Sequence, residues 1–282
     1  MAEEQQYVPL HLHTEYSLLD GAIRIGDLCK FCTEHNMPGV AITDHGVMYG
    51  AMDLYIEANK INAQEKAKAE EDPTYVPKLF NPIIGQEFYL HDGDISERNA
   101  NHNPRYHLIL LAKNNTGYKN LVKLSSIAHI DGFYVKPRIN FELLEKYHDG
   151  LICCSACLAG EVIQNLLKSN YEGAKAVAQK YKDLFGEDYY IELQDHGLDE
   201  QKRTNPELIR LAKELDIKMI ITNDSHYLKK EDADWHDTLL CMQTKSLKTD
   251  TNRFQFPNNE FYVKTVDELR EAFRWKIGRA HV

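Results

Sequence analysis

Hydrophobic positions along this chain alternate between short β-type runs and longer helix-type stretches. Runs rich in β-branched and aromatic residues, each bounded by turn-forming residues, predict strands. They span residues 8–14, 39–44, 82–90, 106–112, 150–155, 189–194 and 218–223. Between them, apolar residues at helical spacing predict helices over 25–36, 51–70, 116–128, 161–169, 172–184 and 205–215. Strands that alternate with helices predict an α/β fold with parallel strands and right-handed crossovers.

Outside these elements, turn residues and polar residues predict surface connections over 71–81, 92–105 and 130–139. After His226 the pattern changes to a helix over 229–243, a polar loop over 250–259, a strand-like run over 260–264 and a helix from Val266. We therefore expect a barrel domain over 1–228 and an extension over 229–275. The last residues, 276–282 (KIGRAHV), match a translated sequencing adapter, so we expect them to be an artefact and the natural chain to continue past Trp275.

Potential metal ligands cluster at or just past the ends of different predicted strands. They are His11, His13, Asp20, His45, Glu87, His107, Cys157, Asp224 and His226. An open sheet would spread such residues along a row, whereas a closed barrel gathers them at the mouth where the strands end. This placement favours a distorted, seven-stranded TIM-like (βα)7 barrel with a metal site at its C-terminal mouth.

Net charge, hydropathy and cysteine spacing exclude several classes of protein. The net charge of −10 gives a field that repels polyanions, so any role on nucleic acid must be local or borrowed from a neighbouring domain. No apolar run approaches the roughly 20 residues that span a bilayer, and the acidic N-terminus lacks a signal-peptide pattern, so we expect a cytoplasmic protein without membrane contact. The pairs Cys29/Cys32 and Cys154/Cys157 imitate a four-cysteine zinc site, but the first has helical spacing and neither has a glycine-rich knuckle.

Imidazole, carboxylate and thiolate ligands together suit zinc. The imidazole and carboxylate ligands among them also suit manganese or iron. Clustered divalent ions serve phosphoester hydrolysis, because one lowers the pKa of a bound water and others neutralise the phosphate.

Other residues have expected roles outside the ligand set. Asp44, adjacent to His45, is expected to orient that ligand. Lys136 and Arg138 are candidates for a phosphate clamp, with a packed loop as the alternative, and His196 for substrate contact. We expect the other histidines at the surface: His35, His91, His102, His129, His148 and His236.

Several motifs together carry a family resemblance. They are HLHTEYSLLDGA at 11–22, AITDHG at 41–46, GQE at 85–87, YHL at 106–108, SACLAGE at 155–161, ELQDHG at 192–197 and TNDSHY at 222–227. These motifs resemble the PHP (polymerase and histidinol phosphatase) domain, and more narrowly the N-terminal PHP domain of the bacterial DNA polymerase III alpha-subunit family. The resemblance covers essentially residues 7–275 and includes the segments NNTGYKNL, KPRI and RFQF.

The resemblance implies a distorted (βα)7 barrel that holds up to three divalent ions, with zinc, manganese and iron left open. One ion would be held by His11, His13, Glu87 and Asp224, and these four residues would form the catalytic set without a separate base. Glu87 would bridge to a second ion held with His107 and Cys157. The third ion would be held by Asp20, His45 and His226.

An intact ligand set implies a metal-dependent 3′→5′ exonuclease that proofreads during DNA replication. The rest of the polymerase would deliver the DNA 3′ end, and other polymerase III subunits would be partners. The polymerase carboxylates of the family are absent from these 282 residues. Two alternatives stay open: a free-standing phosphatase acting on a small phosphomonoester, and a structural metal-binding module without activity. No nucleophile-elbow, P-loop or dinucleotide-binding motif competes with these interpretations.

Overall fold

A computed structural model of the protein describes residues 7–277, with side chains for residues 7–275. The chain divides into two compact units that are discontinuous in sequence. The first unit comprises Met1–Ile42, Tyr49–Ile83 and Asn223–Val282, and the second comprises Thr43–Met48 and Ile84–Thr222. Each unit therefore assembles from segments that lie far apart along the chain.

An eight-stranded sheet dominates the second unit. In chain order its strands are β1 (Gly39–Ile42), β2 (Asn81–Leu90), β3 (Tyr106–Ala112), β4 (Phe133–Tyr134), β5 (Lys136–Ile139), β6 (Leu151–Cys154), β7 (Tyr189–Leu193) and β8 (Lys218–Ile221). The strand order is β4-β5-β2-β3-β6-β7-β8, and β1, from the first unit, pairs with β2, whose first residues also belong to that unit. The sheet curls into a half barrel, which confirms the predicted α/β class and the distorted TIM-like description.

The helices of the second unit occupy most of the predicted positions. They are α3 (Asn115–Ile130), α4 (Phe141–Tyr147), α5 (Glu161–Leu167), α6 (Tyr171–Phe185) and α7 (Asp199–Glu214). Asparagines cap three of them: the side chains of Asn114, Asn140 and Asn170 accept hydrogen bonds from backbone N–H groups in the first turns. Helix α7 begins before its predicted start at Asn205, because Pro206 lies within the helix instead of opening it.

Two expectations about the sheet are wrong. β2 runs antiparallel to β3, and β3 antiparallel to β6, whereas the β6–β7 and β7–β8 pairs are parallel as predicted. The β2–β3 connection over 92–105 contains no helix, so it cannot provide the crossover that parallel neighbours require. The segment 130–139 is also not a plain loop, because its second half forms the β4–β5 hairpin around Val135, whose φ is 66°.

Helices α1 (Ile25–Glu34), α2 (Ala51–Glu71), α8 (Ala233–Thr244), α9 (Val266–Ala272) and α10 (Arg274–Ile277) belong to the first unit. Helix α1 buries Ile25, Leu28, Cys29 and Cys32, the face that its helical spacing predicts. The predicted run 8–14 forms no named strand and contributes only the isolated bridges Leu12–Ser225 and Thr14–Ile23.

Within the extension the structure confirms a helix after residue 232, an irregular segment over 250–259 and a helix from Val266. The strand-like run 260–264 is reduced to a single bridge between Tyr227 and Tyr262. Most of the segment expected to be an adapter artefact, residues 278–282, lies outside the described residues. In the described part of the chain, no helix combines the length and the apolar character that crossing a membrane requires.

Candidate metal centre

In the first unit, the N-terminal segment lies beside the segment that follows β8. The backbone N–H of His13 donates to the carbonyl of Ser225 over 2.8 Å, and Leu12 forms a parallel bridge with Ser225. Side chains two positions apart on an extended segment share a face. His11 and His13 therefore both reach Asp224, the residue before Ser225. The H-x-H spacing thus places two imidazoles on one carboxylate.

One oxygen of Asp224 receives both rings. Its Oδ1 lies 3.2 Å from His11 Nε2 and 3.0 Å from His13 Nε2. Burial would raise the pKa of Asp224, but the charge and hydrogen bonds of His11 and His13 hold that pKa well below its usual range. The carboxylate is therefore ionised at neutral pH and can act as a metal ligand.

His226 and Asp20 extend this cluster within the first unit. His226 Nε2 lies 3.7 Å from Asp20 Oδ2, and the rings of His13 and His226 lie 4.4 Å apart. His226 Nδ1 lies 2.8 Å from the carbonyl oxygen of Asp224, which can only accept, so Nδ1 carries the hydrogen and Nε2 faces the cluster. Five of the nine predicted ligands therefore lie together here.

The second unit holds a parallel arrangement around Glu87. Its Oε1 lies 2.8 Å from His45 Nδ1 and 2.6 Å from His107 Nδ1. The ligand atoms of these three residues all lie within 4.8 Å of one another. Cys157 joins through its Sγ, which is 3.5 Å from His107 Nδ1. The other four predicted ligands are thus grouped in this unit.

Three of the candidate ligands, Asp20, Cys157 and Asp224, sit on or directly after residues with left-handed backbone, where φ is positive. Asp224 itself has φ 43°, Leu19 before Asp20 has φ 61°, and Ala156 before Cys157 has φ 64°. Such conformations cost free energy in residues other than glycine and persist where the surroundings enforce them. Sequence patterns did not predict them, because neither leucine nor alanine signals this backbone.

Two residues that the sequence analysis missed support the ligands. The Ser17 hydroxyl lies 3.4 Å from His13 Nδ1, the ring nitrogen that does not face Asp224. Glu192, buried in β7, accepts a hydrogen bond from the backbone N–H of Ala156 over 2.8 Å and so holds the turn that presents Cys157. Partners of this kind orient metal ligands. The serine in HTEYS and the lone acidic residue in YYIEL were the available signals.

The residues expected to contact substrate differ in their surroundings. Arg138 is fully buried and donates to the carbonyls of Gly132, Ile95 and Glu97 and to the side chain of Asn103, which favours a structural role. Lys136 is exposed, with its ammonium 5.4 Å from the centre of the Tyr89 ring. His196 is buried, and its Nδ1 accepts from the Gln201 amide over 2.8 Å.

Asp44, the residue expected to orient His45, is buried, and its carbonyl accepts a hydrogen bond from the backbone N–H of Glu87. Two histidines expected at the surface are also buried: His91 and His236 are each 1% exposed. His236 Nε2 lies 2.7 Å from the carbonyl oxygen of Asp20. Its position one helical turn before the buried Leu240 was the signal that it lies on the inner face of α8.

The four-cysteine alternative has no support in the first unit. Cys29 and Cys32 lie on the buried face of α1. Burial, with a smaller effect from the Glu57 charge, raises the pKa of Cys29 to about 12, and burial raises the pKa of Cys32 as well. Burial therefore disfavours the thiolate form, which is the form that binds zinc, at both cysteines.

The donor atoms of both clusters fit divalent ions. Each cluster centres on one ionised or buried carboxylate with imidazole nitrogens directed at a single oxygen, and Cys157 adds a sulfur. Zinc, manganese and iron all accept such sets, so the donors do not select one metal.

Comparison with known proteins identifies sequences that are similar to this chain. The PHP domain matches residues 9–196. The chain is 43% identical to a DNA polymerase III subunit alpha of Deinococcus radiodurans over 279 residues, which is 96% of this chain and 20% of that protein. It is 40% identical to the corresponding subunit of Borreliella burgdorferi over 97% of this chain and 22% of that protein. The chain thus spans about a fifth of the length of these relatives.

Solved structures give a weaker likeness. A Bifidobacterium adolescentis protein described as a metal-dependent phosphoesterase matches with a TM-score of 0.45 and 14% identity, over 97% of this chain and 99% of that chain. Similarity at this level supports no argument about function.

Proposed function

Because this chain belongs to the PHP domain family, we propose that it is a metal-dependent phosphoesterase domain. The observation that carries this proposal is that one oxygen of a buried carboxylate meets two imidazole nitrogens, first at Asp224 and again at Glu87. Clusters of buried titratable groups of this kind mark candidate functional sites, and here the arrangement occurs twice.

In this proposal each type of residue has its own role. Bound divalent ions would supply a water of lowered pKa and neutralise the phosphate charge. The imidazoles of His11 and His13 hold fixed directions through their contacts with Asp224 and Ser17, and Glu87 supplies negative charge between His45 and His107. Cys157 would hold an ion as the thiolate. The nine-ligand set for up to three ions remains our prediction.

We further propose that the domain is the N-terminal part of a DNA polymerase III alpha subunit and removes nucleotides from DNA 3′ ends. Identities of 40% and 43% to such subunits over nearly the whole chain support this. The remaining four-fifths of the subunit would contribute polymerisation, delivery of the DNA 3′ end and contacts with other subunits. In this proposal residues 1–228 form the phosphoesterase domain, 229–275 lead towards the polymerase, and Lys136 and His196 contact substrate.

The test combines metal analysis with a nuclease assay. Protein purified without added metal is subjected to elemental analysis, and a 3′-labelled primer is then supplied with zinc, manganese or iron. We expect Asp224→Asn and His13→Ala to lower the rate by at least 100-fold and to reduce bound metal, because each removes a charge or ligand at the centre. His129→Ala, an exposed histidine on α3, is the matched control and keeps full activity.

Three other outcomes would each replace the proposal. Turnover of small phosphomonoesters without DNA cleavage would establish the phosphatase alternative. Bound metal without any turnover would establish a structural module. Equal rates for Asp224→Asn and the wild type would remove this cluster from the reaction.

A further inference from the structure

A cavity of about 220 Å³ in the first unit lies against the candidate ligands of the same unit. Helix α8 forms one wall with His236 and Leu240, and the irregular segment 250–259 forms another with Phe256. The Phe256 ring lies 4.8 Å from the ring of His226, and His236 lies 2.7 Å from the carbonyl of Asp20. Two residues of the cavity wall, Phe256 and His236, therefore contact two candidate metal ligands.

The lining combines aromatic rings with carboxamide and carboxylate groups. Tyr227, His236 and Phe256 supply rings whose centres are 5.0 Å apart from Tyr227 to His236 and 5.0 Å apart from His236 to Phe256. Gln255 and Asn258 add carboxamides, and Asp234 and Asp237 add carboxylates, which can accept hydrogen bonds from a ligand N–H group. Aromatic side chains stack on nucleobases, and carboxamides can both donate to and accept from base edges.

We propose that this cavity binds the nucleobase of the terminal nucleotide whose phosphate reaches the metal ligands, an inference that rests on the proposed phosphodiesterase function. A nucleobase supplies a flat apolar face and polar N–H groups together, which is the combination that the cavity offers. Inorganic phosphate has neither, and an aliphatic ligand lacks the polar edge. The cavity sets the preference for a nucleotide over other phosphoesters.

The first experiment measures binding without catalysis. The 5′-monophosphate of 2-aminopurine deoxyriboside is titrated into the full chain in chelator-containing buffer, and quenching of its fluorescence reports stacking. We expect saturable quenching in the wild type and an affinity about tenfold lower in Phe256→Leu, since base stacking contributes roughly this much. Phe254→Leu, an exposed neighbour that does not line the cavity, keeps the wild-type affinity. No saturable quenching, or equal losses in both variants, would overturn the proposal.

The second experiment distinguishes a strand end from a free nucleotide. The metal-loaded chain is given oligonucleotides that end in 2-aminopurine or in an abasic residue. We expect Phe256→Leu to lower kcat/KM about tenfold for the base-bearing end and to leave the abasic end unchanged. Equal losses on both ends would overturn the assignment to the terminal base. If the wild type binds the nucleotide but cleaves neither strand, the phosphodiesterase proposal fails and the base pocket stands.

Discussion

At the scale of single residues, the candidate metal ligands could be selected from the sequence, whereas the residues that contact them could not. An H-x-H pair and carboxylates after strand ends are visible in the sequence, because ligand chemistry restricts which residue types can serve. Ser17 and Glu192 were missed, since a serine or glutamate in a short motif is chemically ordinary until its partner is known. Arg138 was a candidate for either a phosphate contact or a packed loop, and its hydrogen bonds to three backbone carbonyls and to the side chain of Asn103 favour the packed loop.

Gly46 provides a prediction at this scale. Its φ is 68°, and a Cβ added there would lie 2.8 Å from Pro137 Cγ and 3.2 Å from Tyr89 Cε2. Gly46→Ala should lower the free energy of unfolding by about 2–4 kcal/mol, from backbone strain of about 1 kcal/mol plus overpacking. Urea denaturation measures this change.

Gly197→Ala is the matched control, because Gly197 also follows a histidine and has φ 76°, but an added Cβ meets nothing within 4 Å. It should cost only the strain, about 1 kcal/mol. Equal losses at both positions would show that the contact with Pro137 yields without cost.

At the scale of elements, helices with clear spacing were predicted to within a few residues, whereas strand direction was not. A strand's sequence reports burial on its two faces and says nothing about the orientation of its neighbour. The direction of β3 followed from the connection 92–105, which lacks a helix. The prediction of a strand over 8–14 was wrong. In the structure this run forms two isolated bridges instead of a continuous ladder, and His11 and His13 lie beside these bridges.

Glu65 on α2 ties down the connection that follows the helix. Its carboxylate accepts from the Tyr75 hydroxyl over 2.6 Å and from the backbone N–H of Lys78 over 2.9 Å. Hydrogen bonds from Lys68, Tyr75 and Lys78 lower the pKa of Glu65 from 4.5 to about 2. The ionised form is thus favoured in the folded protein.

The pH dependence follows from this sign. A carboxylate with a lowered folded pKa stabilises the protein fully above its unfolded pKa, and this contribution disappears as the pH falls from about 4.5 towards 2. Glu65→Gln should therefore lower the free energy of unfolding by about 1–2 kcal/mol at pH 7 and by progressively less below pH 4.5. Glu70→Gln, on an exposed position of the same helix, should show a small and nearly constant effect. A Glu65→Gln difference that does not shrink at acidic pH would contradict the assignment.

At the scale of the whole molecule, the α/β class was predicted correctly, but the division into two discontinuous units was not. Charge and composition are sums over the chain, whereas the units depend on which distant segments pair. The net charge of −10 still has a consequence for DNA binding. It opposes the encounter with a polyanion at low salt, where screening is weakest.

We therefore expect this chain alone to bind single-stranded DNA weakly, with an affinity that changes little or rises as salt increases from about 20 to 150 mM. DNA-binding proteins that neutralise several phosphates lose on the order of 10³-fold or more over a comparable range. Fluorescence anisotropy of a labelled oligonucleotide in chelator-containing buffer measures the slope. A steep loss of affinity with salt would reveal a local basic surface that outweighs the overall charge.

The contact between His13 and Asp224 joins residues 211 positions apart. A ribosome that adds about 5–20 residues per second needs roughly 10–40 s to travel between them. During that interval His11 and His13 have been synthesised but their carboxylate has not. The first cluster consequently cannot assemble until Asp224 has been added, 211 positions after His13.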